Sequence, residues 1–220
     1  MALAILIIGE SGTGKSTSIR TLNPEETAII NVLNKPLPFK GWKKNYYAST
    51  KEKCGNYKVT RNHLDIIKSL QHLSTQKLDI KNIIIDDFQY VMAAEFMNRA
   101  LENGWNKFTE IGFHLWEILN IIDSLREDLN IFFLAHSEVS EKDGKSRMKT
   151  IGKMLNEKVT IEGMFTVVLH SDVSNGRYYF KTNGDEATIA KSPMGMFDKQ
   201  IIPNDLQLVV DSIHKYNDGD

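Results

Sequence analysis

The sequence holds a single cysteine, Cys54, among its 220 residues. One thiol cannot build an intrachain disulfide framework or a thiolate metal cage, and no histidine motif surrounds it to make it reactive. Proline is scarce as well. Two of the five prolines fall in Pro36-Leu37-Pro38, where they forbid regular structure and mark a loop. An excess of one charge is also missing: the formal net charge is −1, so no global field draws the chain onto nucleic acid or an anionic membrane. Any such contact must come from local basic segments. The apolar run at the start, Leu3 to Ile8, breaks at Gly9. It is too short to span a bilayer and lacks the basic flank of a signal peptide, so a cytoplasmic location with no membrane partner is expected.

What is present is ordinary for a soluble globular protein, with 41% hydrophobic and 25% charged residues, and the length suits one domain over 1–220. Leu3–Ile8 is apolar on both faces, as a strand covered by helices on both sides must be. Further strands are expected at Thr27–Val32, Ile83–Ile85 and Ile131–Ala135. Helices are expected at Ser16–Leu22, His63–Leu73, Phe88–Leu101, Phe108–Leu125 and Asp205–Tyr216. Ser140 to Gly152 is polar and reads as a flexible loop, within bounds of about 138–153. Phe165–His170 and Arg177–Lys181 flank Asn175-Gly176, a hairpin signal. Strands alternating with helices, then antiparallel strands added late, predict a three-layer α/β fold with a mostly parallel sheet.

The chemistry begins where the first strand ends. In Gly9-Glu10-Ser11-Gly12-Thr13-Gly14-Lys15-Ser16 the glycines let the backbone curl so that successive N–H groups face phosphate oxygens. Lys15 is placed to reach the terminal phosphates and the Ser16 hydroxyl to ligate Mg²⁺, with ATP or a close relative as the ligand. Context carries the motif, because it lies between a buried strand and a predicted helix. Asp86-Asp87 close the Ile83–Ile85 strand. Asp86 is the candidate for the metal and Asp87 for polarising water. His136 ends the fourth strand, so in a doubly wound sheet it would open onto the same crevice and could sense the terminal phosphate. The other histidines show no spacing that marks a metal site.

Two basic segments could meet nucleic acid. Lys35, Lys40, Lys43, Lys44, Lys51 and Lys53 are interleaved with Phe39, Trp42, Tyr46 and Tyr47, and only Glu52 opposes them. Lysines can track a phosphate backbone while aromatic faces stack on bases. Lys145, Arg147, Lys149 and Lys153 form a second segment without an acid. Solvated lysines over a buried aromatic cluster explain either segment equally well.

On Gly9–Ser16, Asn34–Trp42, Ile83–Asp87, Phe132–His136 and the late hairpin followed by Ala190-Lys191-Ser192-Pro193, the chain resembles phage-encoded P-loop ATPases of the AAA type with a RecA-like core. The resemblance implies triphosphate binding by Gly9–Thr17, Mg²⁺ at Asp86, a sensor role for His136, and a Lys191 able to reach a neighbour's phosphate in a homo-oligomer. It also implies action on single-stranded DNA beside recombination and single-strand-binding proteins. One departure stands out. RecA-like motors carry a water-activating glutamate after the second strand, whereas Val32-Leu33-Asn34-Lys35 has no carboxylate. Hydrolysis must then be slow, use Asp87 or Glu95, or need a partner. A small-molecule kinase and a nucleotide-switched interaction module stay open. The six scattered arginines (20, 61, 99, 126, 147 and 177) offer no kinase lid, and Asn34-Lys35-Pro36-Leu37 lacks the aspartate of a GTPase.

Overall fold

The computed structural model describes residues 1–152 and 155–219, so Lys153 of the second basic segment lies outside the described residues. In chain order the regular elements are β1 (Leu3–Gly9), β2 (Thr27–Asn31), α1 (Trp42–Asn45), β3 (Tyr57–Val59), α2 (His63–Gln76), β4 (Asn82–Asp86), α3 (Tyr90–Asn98), α4 (Asn106–Asn120), β5 (Asn130–Val139), β6 (Ser146–Met148), β7 (Val167–Ser174), β8 (Arg177–Lys181), β9 (Ile201–Pro203) and α5 (Leu206–Asp218). Strands β3, β2, β4, β5, β1 and β7 lie side by side in parallel, and β8 and β9 extend the sheet antiparallel after β7.

The alternation along each central strand explains the three layers. Leu6 and Ile8 of β1, Ile83 and Ile85 of β4, and Ile131 and Phe133 of β5 face one core with Ile66 and Leu70 of α2, Val91 of α3 and Ile111, Leu115 and Ile118 of α4. Ile5 and Ile7, Ile84, and Phe132 and Leu134 face the other, with Ile19, Leu206, Val209 and Ile213. A strand covered on both sides has no polar face to show, which is why these segments read as unbroken apolar runs. The result is a RecA-like P-loop NTPase fold with antiparallel C-terminal strands.

Several boundaries differ from the sequence reading. Ser16–Thr21 is a 3₁₀ turn, with Leu22 already extended, where an α-helix to Leu22 was expected. Helix α3 starts at Tyr90, after a turn over 87–89 in which Asp87 takes a left-handed φ of 63°. Helix α4 passes into a 3₁₀ turn at Ile121–Ser124. Strand β5 runs on to Val139, and the segment read as a loop contains β6 paired back onto it, with Met148 fully buried. The strands β3, β6 and β9 have three residues each, too few for an alternation to register in the sequence. Among the described residues no helix is long and apolar enough to cross a membrane.

Candidate functional site

The loop from Gly9 to Lys15 leaves the carboxyl end of β1 and is fitted closely to its surroundings. A Cβ on Gly9 would lie 2.4 Å from the Ser171 carbonyl oxygen, and one on Gly14, whose φ is +94°, 2.9 Å from the Tyr178 ring. Only glycine satisfies both the close approach and the left-handed turn. Late elements brace the loop from outside. Ser171 Oγ of β7 donates to the Thr13 carbonyl at 2.7 Å, and Asn204 Nδ2, ahead of α5, donates to the Gly14 carbonyl at 3.2 Å. Arg20 in turn donates to both Asn204 Oδ1 and its carbonyl.

Lys15 folds back over the loop, with Nζ donating to the carbonyls of Gly9 at 2.8 Å and Glu10 at 2.7 Å. Burial disfavours its charge and pulls its pKa down to about 8, although Asp87 and Asp86 nearby push the other way. Beside it, Ser16 Oγ donates to Asp86 Oδ1 at 2.7 Å across 70 residues of sequence. Asp86 is buried at the end of β4. Burial first, and then the neighbouring Asp87, raise its pKa to about 6. A carboxylate and a hydroxyl held this close, with the carboxylate short of solvation, make a site that a divalent cation would relieve.

Asp87 occupies the left-handed turn just beyond. Its Oδ2 lies 2.8 Å from Lys35 Nζ and its Oδ1 3.4 Å from His136 Nε2. Burial pushes the Asp87 carboxyl up, but the bonds from His136 and Lys35 outweigh it and hold it below the usual carboxylate range. The same contact raises the Lys35 pKa against a desolvation that would lower it. Tyr90 closes the group, 5.6 Å from Lys35 Nζ and edge-on to His136 at 5.9 Å. Gly9 and His136 are direct neighbours in the β1–β5 register, and Asn31 and Asp86 are neighbours in β2–β4. Two buried polar atoms on this rim, Asn31 Oδ1 and Gln89 Nε2, have no partner among the described residues. Gln89 spends its oxygen on the His136 N–H at 3.0 Å.

Thus β1, β4 and β5 converge on one crevice. The family model of an AAA domain matches residues 1–194 of the chain. The chain belongs to the AAA domain family. No curated protein matches it. The AAA domain is a nucleotide-binding P-loop ATPase domain, and in this chain the Gly9–Ser16 loop sets Lys15 and Ser16 beside Asp86. Residues beyond the matched region still belong to the same body, since Asn204 touches Gly14.

The structure brings Lys15, Ser16, Asp86, Asp87 and His136 into one group. It does not bring Lys191 there: that residue forms a backbone bridge with Val168 on β7 and its side chain is exposed. Lys35, counted by sequence among nucleic-acid lysines, pairs with Asp87. Its proximity to Asp87 comes from the turn after β2, and the only sequence trace was its position next to the missing glutamate.

The basic segments are partly absorbed into the fold. Tyr46 is buried and packs edge-on with the half-buried Phe39, so the Tyr46 ring offers no free stacking face. Trp42 is half-buried against Tyr57, with Lys43 Nζ 5.7 Å from its ring, while Lys40, Lys43 and Lys44 are exposed. Arg147 is paired with Asp143, with Lys145 half-buried and Lys149 exposed nearby. Beside the β3 edge lies a cleft of 790 Å³ whose lining includes Trp42, Lys43, Tyr47, Tyr57, Lys58 and Lys68. Lys58 and Lys68 come from β3 and α2, outside the run that sequence reading singled out.

Proposed function

We propose that this AAA domain binds Mg-ATP, hydrolyses it slowly, and works on single-stranded DNA as a homo-oligomer in phage-type homologous recombination, alongside annealing or single-strand-binding proteins. The observation that carries the nucleotide half is the 2.7 Å contact between Ser16 Oγ and Asp86 Oδ1 beneath the Gly9–Lys15 loop. The residues present fit the ligand. A loop that admits no Cβ at Gly9 or Gly14 leaves its backbone to the phosphates, and Lys15 rests on carbonyls that it can exchange for phosphate oxygens. Ser16 and Asp86 would hold Mg²⁺, which supplies charge neutralisation at the terminal phosphates.

On the far side Asp87 is the carboxylate that would orient a water, and His136 is its reporter. Lys35 competes for that carboxylate, which supports slow turnover and a switch-like response to the nucleotide. The DNA half rests on the lysine and aromatic lining beside β3 and on the resemblance described above. Lys191, exposed on the β7 side, supports a reach toward a neighbouring copy.

The test is the ATPase rate with and without single-stranded DNA, alongside strand binding across a salt series. Turnover is expected to rise with DNA, and binding to weaken as salt increases. Unchanged turnover with no salt-sensitive binding would reduce the protein to a nucleotide-binding module. Phosphate transfer to an added nucleoside would make it a kinase.

A further inference from the structure

Away from the nucleotide crevice, three helices on one face of the sheet bring together groups far apart in sequence. His63 opens α2, while His114 and Glu117 stand one turn apart on α4. The two imidazole rings are stacked 3.8 Å apart and inclined by only 8°. Nitrogen and oxygen atoms of the three side chains all lie within 4.8 Å of one another, and all three are half-buried. We propose that His63, His114 and Glu117 form a binding site for a borderline divalent transition cation, of which Zn²⁺ is the type, clamping α2 to α4.

Three observations carry this. The first is the donor set: two imidazoles and a carboxylate are the ligands such a cation takes, leaving a fourth position for water. The second is the support behind it. Glu95 of α3 meets His114 Nδ1 with both carboxylate oxygens at 2.9 Å, and Arg99 fixes the same carboxylate at 2.9 Å. A proton on Nδ1 shared with Glu95 leaves the Nε2 lone pair free, which is how a carboxylate orients a metal-binding imidazole. The third is the state of Glu117. Glu117 Oε2 stands 3.9 Å from His63 Nε2, beyond hydrogen-bond length, so the carboxylate is not consumed by that contact.

Parallel rings do not aim their lone pairs at one point, so loading requires one ring to tilt. Tetrahedral ligands about 2.0–2.1 Å from a zinc ion stand about 3.4 Å apart, which asks the cluster to contract by roughly 1 Å. Rotamer changes of these half-buried side chains would supply that movement without shifting the helices. No residue of the nucleotide crevice takes part, so the inference stands apart from the proposed function.

The experiment uses the full chain without an affinity tag, stripped with chelator and titrated with Zn²⁺, then with Co²⁺ as a spectroscopic probe. One equivalent is expected to bind, with visible d–d absorption of four-coordinate Co²⁺ and a rise in melting temperature. The His63→Ala/His114→Ala pair should lose all three signals, and Glu95→Gln should weaken binding by about 10- to 100-fold. Asp86→Asn should leave them intact, which separates this site from the nucleotide metal. Should the double variant still bind one equivalent with the same Co²⁺ spectrum, the site is elsewhere. No binding by the parent chain would leave the pair as a structural ring stack and overturn the proposal.

Discussion

The two sides of the nucleotide crevice are built by different means. The cradle from Gly9 to Ser16 is set by backbone and sterics: glycines without room for a Cβ, carbonyls tied by Ser171 and Asn204, and one lysine lying on the loop. The facing side, Asp87 with Lys35 and His136, is joined through side-chain contacts of one carboxylate, and each of these can be exchanged for another. A preorganised cradle holds a ligand at little reorganisation cost, whereas a group balanced between two partners can respond when a phosphate arrives or leaves. On the proposed function, holding and switching are thus divided between neighbouring strands.

The difference can be broken most severely at the rigid side. Gly9→Ala forces a methyl group to within 2.4 Å of the Ser171 carbonyl oxygen, so the loop or β7 must shift. Urea unfolding is expected to show a loss of about 1–3 kcal/mol, with nucleotide binding lost as well. An unchanged midpoint and affinity would mean that the close fit is not needed.

Asp86→Asn should act in the opposite sense on stability. The folded carboxyl titrates near 6 against 3.8 as the reference value, so its charge opposes folding. That cost is absent below about pH 4, grows through pH 6 and is fully present above it. Replacing the carboxylate should stabilise the nucleotide-free protein at pH 7.5 by roughly 1–3 kcal/mol and abolish any gain in ATP affinity from Mg²⁺. Melting curves and binding titrations with and without Mg²⁺ read both effects. A destabilised variant would show that the bond from Ser16 outweighs the buried charge.

The charge-built side should give smaller changes in binding. Lys35→Met frees Asp87, and ATP affinity should stay within a few-fold while turnover changes; a large affinity loss with constant turnover would place Lys35 on the phosphates instead. Smallest is the pH response of the cradle. With Lys15 titrating near 8, ATP affinity should decline as pH rises from 8 to 9, and Lys15→Arg should flatten that decline.

The same division explains what could be read from the sequence. The cradle was legible because its parts are contiguous, and Asp86 because it ends an apolar run; the central strands were legible because burial on both faces leaves no polar residue in them. Lys35, Gln89 and Asn204 were not, since they lie 52, 47 and 190 residues from the partners they meet. The pairing of His63 with His114 is equally invisible, because it exists only once α2 and α4 lie together on one face of the sheet. In the aromatic and basic run near Trp42, composition cannot tell exposed rings from rings such as Tyr46 that close the core.

The proposed seat of the triphosphate is the cradle. Titrating Mg-ATP at pH 7 into the parent chain and into Lys15→Ala, with folding of both checked by circular dichroism, tests this directly. The prediction is saturable one-to-one binding to the parent and at least about a hundredfold weaker binding to the variant, as the loss of a buried charge-assisted contact requires. Equal affinity in the two would mean that the triphosphate is held elsewhere.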